Sequence, residues 1–296
     1  MPRKPKDPIK ELLNHHDAPA PFLSWALDYL KYYGYLTSDA PEVTEVEVAT
    51  RDFQVMAGID ADGVIGPQTL ETMWLPRCGC RDDAITEAAR WRQRELTYYV
   101  ESYLEGLSNL SRADQDDIQR QVFTHYEENI DVKWTRVSNR NQANLIIGTG
   151  EGRGDGFDGP GGVLAWCQLP NGSISQIVMK FDRSDSWHKV NAGQRGILYP
   201  NVLAHELGHG HGMLHINGPL ALLNPIYNAS VGTLLQPDVA ALLALGYPKA
   251  TAPTQPPAGQ TRTTIELKFD PGTVPNFKCL VSKGAALQEI QTVTES

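Results

Sequence analysis

Apolar residues fall into helical register soon after residue 20. Phe22, Ala26, Leu30 and Tyr33 share one face, and Gly34 follows as a C′ stop. The lead before them, residues 1–20, is polar and carries no such period. A second helix is predicted after Pro41, where Val46, Ala49, Phe53 and Met56 recur at helical spacing and Gly58 closes the run. Gly63 and Gly66 then mark a turn. Pro67, whose fixed φ suits a first helical turn, opens a third helix through Met73. Asp60-Ala61-Asp62-Gly63 has the opening of a calcium loop without its remaining ligands.

The pattern changes at Pro76-Arg77-Cys78-Gly79-Cys80-Arg81-Asp82, which ends the helical unit, and a charged connector covers 83–94. Residues 96–100 predict a strand. Ser111 with Asp114 resembles a capping box, opening a helix with Ile118, Val122, Phe123 and Tyr126 on one face. Short β-type runs follow at 132–137, 143–148, 163–169 and 176–181, the middle ones separated by Gly-rich loops. A helix is predicted from near Pro200, and another, with Pro237 in its first turn, to about Leu245. Residues 248–260 are rich in Pro, Thr and Ala and read as an extended linker. In the tail, 261–296, Ile265, Leu267 and Phe269 alternate with Glu266 and Lys268, which predicts a strand in a segment small for its own core. Three helices followed by interleaved strands and helices make an α+β chain.

Length and charge narrow the function. The chain has 296 residues, enough for about two domains of roughly 150. It is 41% hydrophobic, which can fill a sizeable core. A net charge of −9 argues against nucleic acid or anionic membrane as partners, since both call for a basic field. No apolar run approaches the roughly 18–20 residues of a membrane span. Residues 1–20 also lack the apolar core of a signal peptide. The four cysteines, Cys78, Cys80, Cys167 and Cys279, are too few for a disulfide scaffold. Of eight histidines, four fall between His205 and His215.

That cluster is the sharpest chemical signal. On a helix, His205 and His209 lie one turn apart on one face and can aim two imidazoles at one ion. Glu206 sits beside them, placed to act on water without being a ligand. A third histidine ten residues on is out of reach along a straight helix, so the chain must turn back, and Gly212 is where it can. His215 then completes three neutral ligands with a fourth position open, the arrangement of catalytic zinc. His211 lies about 240° round the helix from His205 and reads as a non-ligand. The spacing is that of the HExxHxxGxxH catalytic motif.

With these residues the sequence resembles the matrixin (matrix metalloproteinase) family of metzincin zinc endopeptidases. Pro76-Arg77-Cys78-Gly79 with Asp82 is similar to the family's cysteine switch, PRCGxxD. The helical unit before it resembles the peptidoglycan-binding-like prodomain, including Tyr35-Leu36, Phe53-Gln54 and Thr69-Leu70. Phe157-Asp158-Gly159 and Leu164-Ala165 look like the loop and substrate strand of the catalytic domain. Phe181-Asp182 with Asp185 and Trp187 resembles the stretch that completes a calcium site. Leu222, Pro225 and Tyr227 fall where the Met-turn and the specificity-pocket wall would be.

The resemblance implies a prodomain at 21–82 and a catalytic domain at 95–247, built on a mixed, mostly parallel twisted sheet with three helices. No hemopexin-like domain is expected in a chain of this length. Cys78 is implied as the fourth zinc ligand of a latent form, with Arg77 and Asp82 paired to shape its loop. Val163, Leu164, Ala165, Pro225 and Tyr227 are implied to hold an extended protein or peptide substrate. Calcium is implied at Asp158, Asp182 and Asp185, hard oxygen donors that suit it. Peptidoglycan or polysaccharide contact by the prodomain, a monomeric state and an extracellular destination complete the expectations.

Departures from the family pattern matter equally. Leu223 stands at the Met-turn methionine, keeping an apolar floor without the sulfur. The four positions of the family's structural zinc fall near Glu151, Arg153, Trp166 and Lys180, a poor donor set, so that zinc is expected to be absent. Cys80 and Arg81 replace Val-Pro in the switch, adding a thiol two residues from Cys78. Two other classes compete with a latent endopeptidase: a non-catalytic zinc or cell-wall-binding protein, and a cell-wall amidase using the same metal chemistry.

Overall fold

A computed structural model describes residues 20–83, 90–105, 110–171, 174–189 and 196–251. The strand expected at 265–269, the rest of the tail with Cys279, most of the 248–260 linker and half of the connector lie outside them. The chain divides into Met1–Ala252 and Pro253–Ser296, and every element below belongs to the first unit.

The three expected helices form as α1 (Ala20–Tyr32), α2 (Val43–Ala57) and α3 (Pro67–Trp74). Glu42 and Glu45 close a capping box at the start of α2, and Gly58, at φ 73°, ends it in the left-handed conformation. Their apolar faces meet in a small core of Phe22, Trp25, Tyr29, Phe53, Leu70 and Met73. Edge-on aromatic pairs such as Tyr29 with Phe53, ring centres 5.5 Å apart, give that core its geometry. Asp62 is a turn residue: its carboxylate accepts from the Val64 N–H at 2.8 Å and from Gln54 at 2.7 Å.

After α3 come β1 (Arg77–Cys78), β2 (Glu95–Val100), α4 (Arg112–Asn129), β3 (Lys133–Arg136), β4 (Leu145–Gly150), β5 (Val163–Cys167), β6 (Ile177–Asp182), β7 (Trp187–His188), β8 (Ile197–Leu198), α5 (Tyr199–Gly210) and α6 (Gln236–Ala244). The six-stranded sheet runs β1-β5-β6-β4-β2-β3. All its pairings are parallel except β5 with β6. Among the described residues this is an α+β layout of six α-helices and a mostly parallel mixed sheet. Central β4 is buried along nearly its whole length, as a run of Leu145, Ile146 and Ile147 suits when both faces are covered. The larger core fills the space between the sheet and helices α4 and α5, with Tyr126, Leu145, Met179, Leu203 and Leu207 fully buried.

Two-residue strands β1, β7 and β8 have no periodicity to betray them. Of these β1 matters most, since it lies at the edge of the sheet against β5, with Arg77 opposite Val163 and Cys78 opposite Ala165. Among the described residues no helix is long and apolar enough to cross a membrane.

Candidate metal centre

Helix α5 starts with Pro200 in its first turn and carries the sequence YPNVLAHELGHG. After Gly210 the chain reverses: Gly212 has φ 92°, its N–H donates to His209 O at 2.8 Å, and the Met213 N–H donates to Gly208 O at 3.0 Å. A side chain at 212 would be strained in that conformation. Trp91 and Tyr247 tie off the helix end by donating to the carbonyls of Gly210 and His211, at 2.7 and 3.0 Å.

The reversal brings the third histidine back to the first two. His209 Nε2 lies 3.2 Å from His205 Nε2 and 3.1 Å from His215 Nε2. The outer ring nitrogens face acceptors. His205 Nδ1 is 2.7 Å from Leu222 O, His209 Nδ1 is 2.8 Å from Met213 O, and His215 Nδ1 is 2.7 Å from Asp82 Oδ1. A carbonyl can only accept, so the protons of His205 and His209 sit on Nδ1, and their Nε2 lone pairs point towards His215 Nε2 and each other. Such a cluster is repulsive without a cation among the nitrogens.

Cys78 Sγ adds a fourth donor, 3.5 Å from His209 Nε2, and the donor atoms of Cys78, His205, His209 and His215 lie within 4.8 Å of one another. Zinc bond lengths of about 2.0–2.1 Å to nitrogen and about 2.3 Å to sulfur give tetrahedral edges of roughly 3.3 Å between nitrogens and 3.6 Å from nitrogen to sulfur. The separations here match both edges, so the residues fit zinc.

Glu206 is wholly buried, and neither carboxylate oxygen has a hydrogen-bond partner among the described residues. Burial pushes its pKa up to about 8. His211 takes no part in the donor set. It is buried, stacks on Tyr126 with ring centres 4.7 Å apart, hydrogen-bonds Leu207 O through Nδ1 and accepts from the Trp134 indole at 3.2 Å. Burial lowers its pKa to about 4, so it stays neutral.

Leu223 lies beneath the histidine helix. A Cβ at Gly208 would approach Leu223 Cδ2 to 2.8 Å, so α5 rests directly on this side chain. The turn holding Leu223 is pinned by Asp238, whose buried carboxylate accepts from the backbone N–H groups of Leu222, Leu223 and Leu235 at 3.1, 3.2 and 2.9 Å. Nothing in the sequence pattern marks Asp238 beyond its place in the first turn of α6. Asp238→Ala would strand three buried donors and is expected to cost about 2–3 kcal/mol of stability, read by denaturant unfolding. Asp238→Asn, which keeps one acceptor, should cost less.

The Arg77-Cys78 segment lies between two walls. On one side Arg77 N–H donates to Gly162 O at 3.0 Å and Gly79 N–H to Ala165 O at 2.8 Å. On the other, Cys78 N–H donates to Pro225 O at 2.9 Å and Tyr227 N–H to Pro76 O at 2.9 Å. Val163, Leu164, Ala165, Pro225 and Tyr227 thus all border it. Beside it, Leu164, Val202, Leu222 and Val231 line an apolar pocket next to His205 and Glu206.

Arg77 and Asp82 form a buried ion pair at 2.6 Å, with side chains 2% and 1% exposed. Three tyrosines of the helical unit enclose it. Tyr29 accepts from Arg77 at 2.6 Å, Tyr35 donates to Asp82 at 2.6 Å, and the guanidinium sits 3.4 Å from the Tyr33 ring centre. Burial works against an ionised Asp82, but Arg77 beside it holds the carboxyl down at about 2.

The three calcium candidates do not converge in this way. Among the described residues the groups of three or more metal donors within reach of one another are both at the histidines. Asp158 accepts from the Val163 N–H and Asp185 from the Gly161 N–H, each at 2.7 Å, bracketing one loop. Asp182 is fully buried, and its Oδ2 has no partner among the described residues. At the positions aligned with a second zinc, Glu151 pairs with Arg183 at 2.8 Å and Lys180 with Asp155 at 2.6 Å. The Trp166 indole donates to Asp155 O at 2.8 Å.

Comparison with known proteins agrees with this architecture. Residues 90–245 match the Matrixin family model, and residues 21–73 match the model of a putative peptidoglycan binding domain. Rabbit (Oryctolagus cuniculus) interstitial collagenase is 34% identical over 227 residues, covering 74% of this chain and 47% of the collagenase. Pig (Sus scrofa) interstitial collagenase is 33% identical over 256 residues, covering 81% and 52%. Rat (Rattus norvegicus) matrilysin is 28% identical over 235 residues, covering 75% and 85%. The chain therefore spans about half the length of the collagenases and most of that of matrilysin. The fold and donor set define a metallopeptidase-type centre behind a helical module. The chain belongs to the matrixin family.

Proposed function

We propose that the protein is a zinc endopeptidase held latent by its own helical unit. One observation carries the reading: the Cys78 thiol completes a four-donor set with His205, His209 and His215 while its strand fills the groove between β5 and residues 225–227. In this reading the helical unit, residues 21–82, is a prodomain, 83–94 is the activation connector, and 95–247 is the catalytic domain.

Bound at the three histidines, zinc supplies Lewis-acid polarisation of the scissile carbonyl and acidification of water. The rest falls to the chain. The outer nitrogens of His205 and His209, held by Leu222 O and Met213 O, keep those rings aimed. Glu206 takes a proton from the attacking water and passes it to the leaving amine. The β5 edge, once β1 has left, pairs with an extended peptide, and Pro225 to Tyr227 form the opposite wall. The apolar pocket beside Glu206 suits a hydrophobic residue after the scissile bond.

Latency follows from occupancy of one groove by β1 and of one ligand position by Cys78. Protein or peptide is the substrate class, and action outside the cell accords with relatives named interstitial collagenase. Calcium at the 158–185 loops is supported by the unpartnered buried oxygen of Asp182. The helical unit matches a wall-binding module, but its tyrosines are spent on Arg77 and Asp82, which favours the latch role over polysaccharide contact.

Lys180 and Arg183, paired with Asp155 and Glu151, place two cations where a second zinc would need neutral or anionic donors, so one zinc per chain is expected. Metal analysis of the purified chain checks this, and two zincs would contradict it. His209→Ala is expected to lose the zinc and peptide cleavage together; cleavage persisting in a zinc-free chain would refute the reading.

A further inference from the structure

Two thiols face the histidines. Cys78 and Cys80 flank Gly79, in a bend just past β1 that brings both sulfurs to His209. Gly79 keeps the segment close to the sheet, since a Cβ there would sit 2.7 Å from Val163 Cγ1. The Cys80 N–H points at Cys78 Sγ, 3.4 Å away, and the Cys80 thiol donates to Cys167 O at 3.3 Å. The donor atoms of Cys78, Cys80, Glu206 and His209 lie within 4.8 Å of one another. Cys78 is 5% exposed, whereas Cys80 is half-buried on the open side, beside Tyr32 and Trp166.

We propose that Cys80 is a reserve sulfur ligand for the zinc, so that the latch has two interchangeable thiolates. The proposal rests on the reading of Cys78 as the latent-state ligand. Three histidines leave one position, and a thiolate is the softest donor within reach of it. When Cys78 is alkylated, oxidised or replaced, the Cys80 sulfur swings from the Cys167 carbonyl to the vacated position. The sulfur–zinc bond to Cys78 is replaced by one to Cys80, and the Cys80 thiol proton passes to solvent. The strand itself need not leave, because its backbone bonds to Gly162, Ala165 and Pro225 involve neither sulfur. Loss of one thiol therefore leaves the groove filled and the centre closed. The half-buried setting of Cys80 exposes this second sulfur to the same reagents, and modification of both is what opens the site.

Cobalt(II) in place of zinc reads the ligand directly, through sulfur-to-cobalt charge-transfer absorption in the near ultraviolet. The full chain is compared with Cys78→Ser, Cys80→Ser and the double variant. The expected result is a charge-transfer band in the parent and both single variants, lost only in the double. A Cys78→Ser chain that keeps cobalt d–d absorption but loses the charge-transfer band overturns the proposal. Cobalt bound without that band in the parent overturns the Cys78 latch itself, and no cobalt bound overturns the three-histidine centre. A second readout uses Cys78→Ala, whose smaller side chain fits the same buried place. There cobalt is expected to slow iodoacetamide labelling of Cys80 by about tenfold or more, as a metal-bound thiolate is withheld from alkylation. Labelling of Cys80 at one rate with and without cobalt overturns the proposal.

Discussion

Glu206→Gln is expected to lower peptide hydrolysis by the activated enzyme by between about 10² and 10⁴, with zinc content unchanged. The carboxylate is fully buried, both oxygens lack hydrogen-bond partners among the described residues, and burial lifts its pKa to about 8. It is therefore a carboxylate with its acceptor capacity uncommitted, placed beside the metal ligand His205. Glutamine keeps the shape and removes the basicity. Because His205 and His209 are oriented by the Leu222 and Met213 carbonyls, the metal should stay. The check is kcat on a quenched fluorescent peptide together with zinc per chain. Activity within a few-fold of the parent would exclude Glu206 as the proton carrier, and loss of zinc would make it a ligand.

The second large effect concerns the latch. Asp82→Asn is expected to release latency in the intact chain, raising peptide hydrolysis before any cleavage of the prodomain by roughly 10²-fold or more. The pair it breaks is buried at 2.6 Å, and removing one partner of such a pair costs about 3–5 kcal/mol because the other charge is left uncompensated. Arg77 would keep the Tyr29 hydroxyl, the Cys78 carbonyl, the Tyr33 ring and at most a neutral amide oxygen at 82, with no compensating charge. That cost falls on the docked form, since an undocked Arg77 finds water. The measurement is peptide hydrolysis by the full-length variant with the chain verified intact. A variant as silent as the parent, at equal zinc content, would show that the ion pair does not hold the strand. Zinc content matters here because Asp82 also touches His215.

Much of this site could be read from residue spacing, and the exceptions have physical reasons. The i, i+4 histidines, the glycine that turns the chain back and the third histidine are local features. The helix and the φ of 92° at Gly212 put them where the spacing said. Arg77 and Asp82 are close in sequence, and their pairing was expected from the family motif. What the sequence withheld depends on distant contacts. Nothing near Asp238 shows that it holds the turn under α5, because its partners are three backbone amides, two of them about fifteen residues away. The tyrosine cage around Arg77 brings Tyr29 from α1 and Tyr33 from the turn just after it, more than forty residues away in sequence. Asp82 reaching His215 spans the whole catalytic sheet in sequence. Strand β1 has two residues and no alternation to detect, yet it is the element that fills the groove. The aspartates expected at calcium were legible only as a pattern; Asp158 and Asp182 are engaged with backbone of their own loops, and Asp185 with the distant Gly161 N–H.

The central claim is that one zinc centre is both the catalyst and the thing the chain conceals. The most direct test is peptide hydrolysis by the intact, zinc-loaded chain before and after treatment with an organomercurial that blocks its thiols. The expected result is near silence before treatment and a rise of at least about tenfold after it, because mercury removes sulfur from the zinc. Full activity in the untreated, uncleaved chain would contradict the claim. So would continued silence after complete thiol modification with zinc still bound.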